Sequence, residues 1–200
     1  MKISVAMAYY NGGMYIEEQM DTILTQLSEQ DEVIVSVDGA SDGSKLLLLK
    51  MAEEDKRIHV IKGPGKGVVK NFENAIRHCS GEIIYLSDQD DIWKPDKVKK
   101  VNEAFLNPKV KAVLHDARIV DECGNPTGAE SLFANRGSRK GILKNLVKNS
   151  YVGCCMAFRR ELIPVICPIP KEMYMHDYWI GTAAEYMGEV CFIKEPLIDY

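Results

Sequence analysis

Three carboxylates fall within four positions in Ser87-Asp88-Gln89-Asp90-Asp91-Ile92-Trp93, directly after the apolar run Ile83-Ile84-Tyr85-Leu86 and just before Lys94-Pro95. Like carboxylates a few Å apart repel and raise one another's pKa, so such a cluster at the end of a buried strand calls for a neutralising cation. Oxygen ligands suit Mg²⁺ or Mn²⁺, with Asp88 and Asp90 as the candidate metal ligands. An EF-hand loop is excluded, because the sixth position from Asp88 is Trp93 where glycine is needed and the twelfth is Lys99 where Glu is needed. Asp91 has a simpler reading as the N-cap of a helix that carries Pro95 in its first turn. A second candidate is Asp177, between His176 and Tyr178-Trp179 at the start of a helical pattern. It reads either as an N-cap or as a general base whose pKa an apolar wall such as Trp179 would raise.

The elements that must position these groups follow from periodicity. Residues 3–8, 33–37, 58–61 and 83–87 are short apolar runs ending in turn residues, and each reads as a buried strand. Helical patterns follow each of them: Ile16, Met20, Ile23, Leu24 and Leu27; residues 44–54; Val68, Phe72, Ala75, Ile76 and Cys79; and Val98, Val101 and Phe105. Four strand–helix units in a row predict a parallel sheet with right-handed crossovers, whose ligand sits beyond the carboxyl ends of the strands. That edge gathers residues 9–13, 38–43 and 63–67 around the acidic run.

Further on, residues 113–119 and 151–158 read as strands, residues 121–126 as a turn and residues 136–140 as a basic loop. A helix from Asp177 has Trp179, Ile180, Ala183, Ala184 and Met187 inward, and residues 190–193 and 197–200 form a closing pair of extended segments. The pattern predicts one α/β domain over residues 1–200, with a mostly parallel central sheet flanked by helices.

At the ligand edge, Asp38 can accept hydrogen bonds from a nucleobase N–H or a ribose hydroxyl, or close an Asx-turn. Tyr10 can stack on a base or sit as a core-edge aromatic. The Gly63-Pro64-Gly65-Lys66-Gly67 loop matches neither a dinucleotide fingerprint nor a Walker A loop; it reads as a flexible turn or as a backbone approach in which Lys66 or Lys70 faces a phosphate. Together these residues favour a nucleotide bound with a metal on its phosphates. Arg136, Arg139, Lys140, Lys144 and Lys148 read as a solvated basic face or a hold for an anionic acceptor or membrane headgroup, and His115 and His176 read as structural.

Composition bounds the class. Hydrophobic residues make up 46% and charged residues 27% of 200 residues, as in an ordinary globular domain, and the net charge of -4 argues against a nucleic-acid surface. Six cysteines form no C-x-x-C pair and no zinc spacing, which fits free thiols in a reducing cytoplasm. No run of 18 apolar residues occurs and the amino terminus reads as a strand, so the expected location is cytoplasmic, or peripheral at the inner face of the cell membrane.

Five blocks in this order resemble the nucleotide-sugar glycosyltransferases of family 2, with the GT-A (nucleotide-diphospho-sugar transferase) fold. They are Val5-Ala6-Met7-Ala8-Tyr9-Tyr10-Asn11-Gly12, Asp38-Gly39-Ala40-Ser41-Asp42-Gly43, Gly67-Val68-Val69-Lys70-Asn71-Phe72, the acidic run, and His176-Asp177-Tyr178-Trp179. The acidic and His-Asp-Tyr-Trp spellings are similar to bacterial rhamnosyltransferase-like members that build surface polysaccharides. The resemblance implies a donor half at residues 1–110 and an acceptor half at 111–200. It implies a nucleoside-diphosphate sugar (UDP- or dTDP-linked) held by Ala8, Tyr10, Asn11, Asp38, Lys66, Asn71, Asp88 and Gln89. Asp88 and Asp90 would hold Mg²⁺ or Mn²⁺ on the diphosphate, with Asp90 the more direct ligand. Asp177 would be the base of an inverting transfer to a saccharide or lipid-linked acceptor. Tyr9 stands where the family usually has Thr, and Val37 and Ala40 stand where it often has Asp and Ser, which alters the base pocket. Relatives also usually continue beyond the position of Tyr200. The competing readings are a sugar-1-phosphate nucleotidyltransferase, which needs an arginine-bearing loop that residues 9–13 lack, and a non-catalytic nucleotide-sugar binding module.

Overall fold

The computed structural model describes residues 1–200 apart from 40, 122–123, 129–130, 139–140, 142–144 and 146–148. The first half forms as expected: β1 (Ile3–Tyr9), α1 (Ile16–Leu24), β2 (Glu32–Val37), α2 (Ser44–Glu54), β3 (Ile58–Lys62), α3 (Val68–His78) and β4 (Ile83–Ser87). β1 pairs in parallel with β2 and β4, and β2 with β3. Apolar side chains on both faces of β1 explain its central place. Val5, Met7 and Tyr9 pack with Ile16, Met20, Ile23 and Leu48 on one side, while Ala6 joins Phe72, Ile76 and Ile180 on the other. Val68 departs from the expected apolar face of α3, being 51% exposed at its first turn.

After β4 come β5 (Ile92–Trp93), α4 (Lys97–Ala104), β6 (Val110–Arg118), β7 (Met156–Arg159), the helix His176–Met187 and β8 (Glu189–Asp199). They extend the same sheet in the order β3-β2-β1-β4-β7-β6-β8-β5. β7 runs antiparallel to β4 and β6, while β6 and β8 pair in parallel, so β6 ends at the same edge of the sheet as β4.

Four local expectations change. Asp91 caps no helix: α4 starts at Lys97, because Trp93 pairs with Ile198 and Pro95 keeps Lys94 out of helical geometry. Asp177 is not an N-cap either, since the last helix begins at His176. Residues 153–155 form a 3-10 turn before β7, where the chain runs so close to the last helix that a Cβ on Gly153 would meet His176 Nε2 at 2.9 Å. The closing segments are one strand, β8, whose register slips opposite Asp116, where Pro196 has no N–H to give.

The last helix also packs closely on the segment just before the 3-10 turn. A Cβ at Gly181 would lie 2.5 Å from the buried Tyr151 ring. Helix propensity favours alanine over glycine by about 1 kcal/mol, whereas overpacking a rigid ring costs about 1–3 kcal/mol. Gly181→Ala is therefore expected to lower the melting temperature by a few degrees in differential scanning fluorimetry; an increase would show that the helix does not pack this closely.

Candidate functional site

The carboxyl ends of β1, β2 and β4 open into a cleft of about 800 Å³. Ala8, Tyr9 and Tyr10 from β1 and its loop, Asp38 after β2, Gly65, Gly67, Val68 and Asn71 around the start of α3, residues 88–91 after β4, and Tyr200 line it. Each wall is fixed by a bond from a side chain to a neighbouring backbone. Gln89 clamps Tyr10 with both ends of its amide: Tyr10 N–H donates to Oε1 at 2.8 Å, and Nε2 donates to the Tyr10 carbonyl at 2.9 Å. The Tyr10 ring remains 60% exposed at the cleft. A Cβ at Gly12 would lie 2.5 Å from Gln89 Cδ, so a larger residue there would displace the Gln89 amide. Asp38 Oδ1 accepts from Gly65 N–H, joining the β2 and β3 loops. Buried Asn71 donates through Nδ2 to the Ser36 carbonyl at 2.9 Å, and its Oδ1 has no partner among the described residues.

Three candidate ligand contacts lie away from the cleft wall. Asn11, with φ of 49°, turns away from the cleft and ties the β1 loop to the β2 loop, its Oδ1 accepting from Ser41 N–H at 2.8 Å. Lys70 is engaged elsewhere, its Nζ donating to Glu73 at 2.6 Å and to the Ile169 carbonyl at 2.7 Å, and it is not part of the cleft wall. Lys66 is exposed on the glycine loop and is not part of the cleft wall. Arg136 ends a short helix, Leu132–Arg136, and its charge acts on Asp177. Arg139, Lys140, Lys144 and Lys148 lie outside the described residues.

The acidic run divides by depth. Asp90 is exposed at the cleft, Asp88 half-buried and Asp91 buried. Oxygens of Asp88 and Asp91 and the Cys154 Sγ lie within 4.8 Å of one another. Burial first, then the charges of Asp90 and Asp177, push Asp88 up to about 6. Burial and then Asp88 raise Asp91, against the pull of the Lys97 ammonium. A hydrogen bond with Cys155, and then burial, keep the Cys154 thiol protonated, so it serves the carboxylates as a donor. The ligand atoms that come together are thus those of Asp88, Asp91 and Cys154, while Asp90 lines the cleft outside that group.

Asp177 lies deeper, 3% exposed, in the first turn of the last helix. One of its oxygens accepts from Tyr178 N–H at 2.6 Å. Burial raises its pKa, while the Tyr178 amide and Arg136 oppose the rise. It does not form part of the cleft wall, yet its charge reaches Asp88. His176 beside it stacks on Phe72 at 4.0 Å and is driven down to about 3 by burial, a neutral structural ring. His115, equally buried, is also held neutral and bonds through Nδ1 to the Asp116 carbonyl.

Several participants carry no motif. Gln19, buried on α1, donates to Ser87 Oγ at 2.7 Å and to the Asp88 carbonyl at 3.2 Å, fixing the end of β4. Tyr200 reaches the cleft only through the β8 pairing. Lys97 is fully buried, and the one available signal was its i,i+4 spacing from Trp93, whose ring it covers at 3.8 Å. The five cysteines among the described residues are free, as expected. No helix of the described residues is long and apolar enough to cross a membrane.

The sequence profile described as Glycosyl transferase family 2 matches residues 4–166. A putative teichuronic acid biosynthesis glycosyltransferase, TuaG, of Bacillus subtilis is 27% identical over 76% of this chain and 59% of its own length. Among solved structures, S. aureus TarS in complex with UDP-GlcNAc aligns with a TM-score of 0.74 at 19% identity, covering 100% of this chain and 58% of that one. A mannosyltransferase from Pyrobaculum calidifontis, in complex with GDP-Man and Mn²⁺, aligns with a TM-score of 0.71 at 22% identity, covering 98% and 55%. Both structures share the fold. The chain spans about three fifths of the length of the curated relatives it matches.

The charge at Asp88 has a pH signature. Its folded pKa lies above the ordinary 3.8, so the stability it contributes is present at low pH and is lost as pH rises through about 6. In metal-free buffer Asp88→Asn should therefore gain stability relative to wild type between about pH 4 and pH 7. Melting temperatures of both proteins across that range check this, and a difference that does not change with pH would contradict it.

Proposed function

This chain belongs to glycosyl transferase family 2, and from that premise we propose that it transfers a sugar from a nucleoside-diphosphate sugar, UDP- or dTDP-linked, to a saccharide or lipid-linked acceptor with inversion at the anomeric carbon. The observation that carries the reading is the convergence, at one sheet edge, of an exposed aromatic ring (Tyr10), a base- or ribose-reading carboxylate (Asp38) and an acidic pair (Asp88, Asp90), with a buried carboxylate of raised pKa within electrostatic reach. A cleft of this volume suits a ligand of nucleotide-sugar size. The names of TuaG and of TarS with UDP-GlcNAc support a polysaccharide-directed role and a nucleotide-sugar donor.

In this reading Tyr10 stacks on the base, and Gln89 acts by holding the Tyr10 backbone in place. Asp38 and the free Oδ1 of Asn71 accept from donor N–H or O–H groups. Asp88 and Asp90 would hold Mg²⁺ or Mn²⁺, which supplies charge neutralisation for the departing nucleoside diphosphate. Asp177 takes the acceptor hydroxyl proton on the carboxylate oxygen not bonded to Tyr178. The freed oxygen pair forms the new bond to the anomeric carbon, and the bond to the phosphate oxygen breaks on the opposite side. Residues 1–110 form the donor side and residues 111–200 the acceptor side. The place of action is the cytoplasm, up to the inner face of the membrane where a lipid-linked acceptor would be presented.

Turnover of UDP-, dTDP- and GDP-sugars with Mn²⁺ tests this. Asp177→Asn should keep nucleotide binding and lose transfer by about 10²-fold or more, while Asp90→Asn should weaken Mn²⁺-dependent nucleotide binding in calorimetry. Because the base must be ionised and its pKa is raised, the wild-type rate should climb with pH through a value above the ordinary carboxylate range. Wild type that binds donors but neither hydrolyses nor transfers them would favour a binding module instead.

A further inference from the structure

The helix that carries Asp177, His176–Met187, buries Ile180, Gly181, Ala183 and Ala184 and turns tyrosines outward. Tyr178, Thr182 and Tyr186 follow one another at intervals of four residues, so they share one face along about 12 Å of helix. Tyr186 is 82% exposed, and Tyr178 and Thr182 are half-buried. Tyr174, just before the helix, extends the row: it is 62% exposed, and its ring centroid lies 5.6 Å from that of Tyr178, with the planes tilted by 32°. The row starts at the carboxylate. Tyr178 N–H donates to Asp177 Oδ1 at 2.6 Å, and burial, followed by the charge of Asp177, raises the Tyr174 hydroxyl. Neither Tyr174 nor Tyr186 lines the donor cleft, so the reading above leaves both unused.

Every member of the row carries a hydroxyl, and its tyrosines add flat apolar faces of low conformational freedom. A pyranose ring answers both features, with a face of C–H groups edged by hydroxyls. An anionic bilayer answers neither the hydroxyls nor the charge, since the helix carries no lysine or arginine and its charged residues are Asp177 and Glu185. We propose that Tyr174, Tyr178 and Tyr186 form a platform for the acceptor, a saccharide chain whose reacting sugar lies over the Tyr174–Tyr178 pair beside Asp177 and whose next sugars run toward Tyr186. The proposal rests on the transfer reading above and narrows it: the acceptor is recognised through its sugar rings, whether or not a lipid is attached beyond them.

Saturation-transfer NMR from the tyrosine ring protons, with maltotetraose, cellotetraose and chitotetraose as probes and no nucleotide present, tests the platform apart from turnover. Wild type should bind at least one probe. Tyr174→Ala and Tyr186→Ala, both at exposed positions, should each weaken that binding about tenfold, the scale of one lost ring contact. Tyr174→Phe, which keeps the ring, should bind as wild type does, and UDP binding with Mn²⁺ should be the same in all four proteins. No binding of any probe by wild type, or equal binding by wild type and both alanine variants, overturns the platform. Sedimentation with anionic phospholipid vesicles, or self-association in ultracentrifugation, that Tyr186→Ala abolishes also overturns it, by identifying a membrane or a second copy as the occupant. Probes that bind through the tyrosines in a protein that transfers from no donor support the saccharide face and count against the transfer reading alone.

Discussion

A carboxylate leaving the end of a buried strand carries a charge that low-dielectric surroundings penalise, and the molecule is arranged around that penalty at β4. Ser87 is buried and Asp88 half-buried, so the chain cannot simply turn its acids into water. Gln19 holds the Asp88 carbonyl, the Cys154 thiol donates to the carboxylates, and Lys97 brings a positive charge from α4. These contributors come from separate stretches of the sequence, whose apolar neighbours join one core cluster with β4. The strand end is therefore a junction at which α1, α4 and the turn before β7 must all be in place before the acids are held where they are.

The neighbouring strand ends are held by a different device. The loops after β1, β2 and β3 contain glycine and lack regular pairing, and each is anchored by one side chain bonding to another loop's backbone: Gln89 to Tyr10, Asn11 to Ser41, Asp38 to Gly65 and Asp42 to Gly13. Such bonds fix backbone position while leaving the exposed ring of Tyr10 free to meet a flat partner. A carboxylate or amide used in this way is partly committed to structure. This is why Asn11, which resembles a ligand contact in sequence, acts as a brace, and why the Gln89 amide is committed to the Tyr10 backbone.

The parallel half of the fold was legible because its signal is local. Each of β1 to β4 is a short apolar run, the helices after β1, β3 and β4 carry a 3.6-residue stripe, and the ligand edge follows from the parallel connections. The second half was less legible because its order is set by distant partners. The single long β8 depends on β6 beneath it and tolerates Pro196 only through a slipped register, while the late start of α4 depends on Trp93 pairing with Ile198. Along the cleft, Asp38, Asp88 and Asp90 were expected from their place at strand ends and Asn71 from the family resemblance, and all four line it. Lys97 and Gln19 could not be so expected, since a lysine or glutamine on an amphipathic helix ordinarily marks the solvent face and only the packed structure reveals that both point inward.

The separation between the acidic strand end and Asp177 has a consequence for how the two groups share protons. Asp177 is buried against the turn at residues 153–155, and its charge raises the pKa of Asp88. Any positive charge that settles at Asp88 and Asp90 relieves Asp177 as well, and so tends to turn it into the ionised form that can accept a proton. Arg136 pulls in the same direction. The neutral His176, fixed on Phe72, contributes no charge. The charge at the strand end and the charge state of Asp177 are thereby linked through space. The rigid partner in that linkage is the last helix, whose flush packing of Gly181 on Tyr151 sets how near Asp177 comes to the strand end.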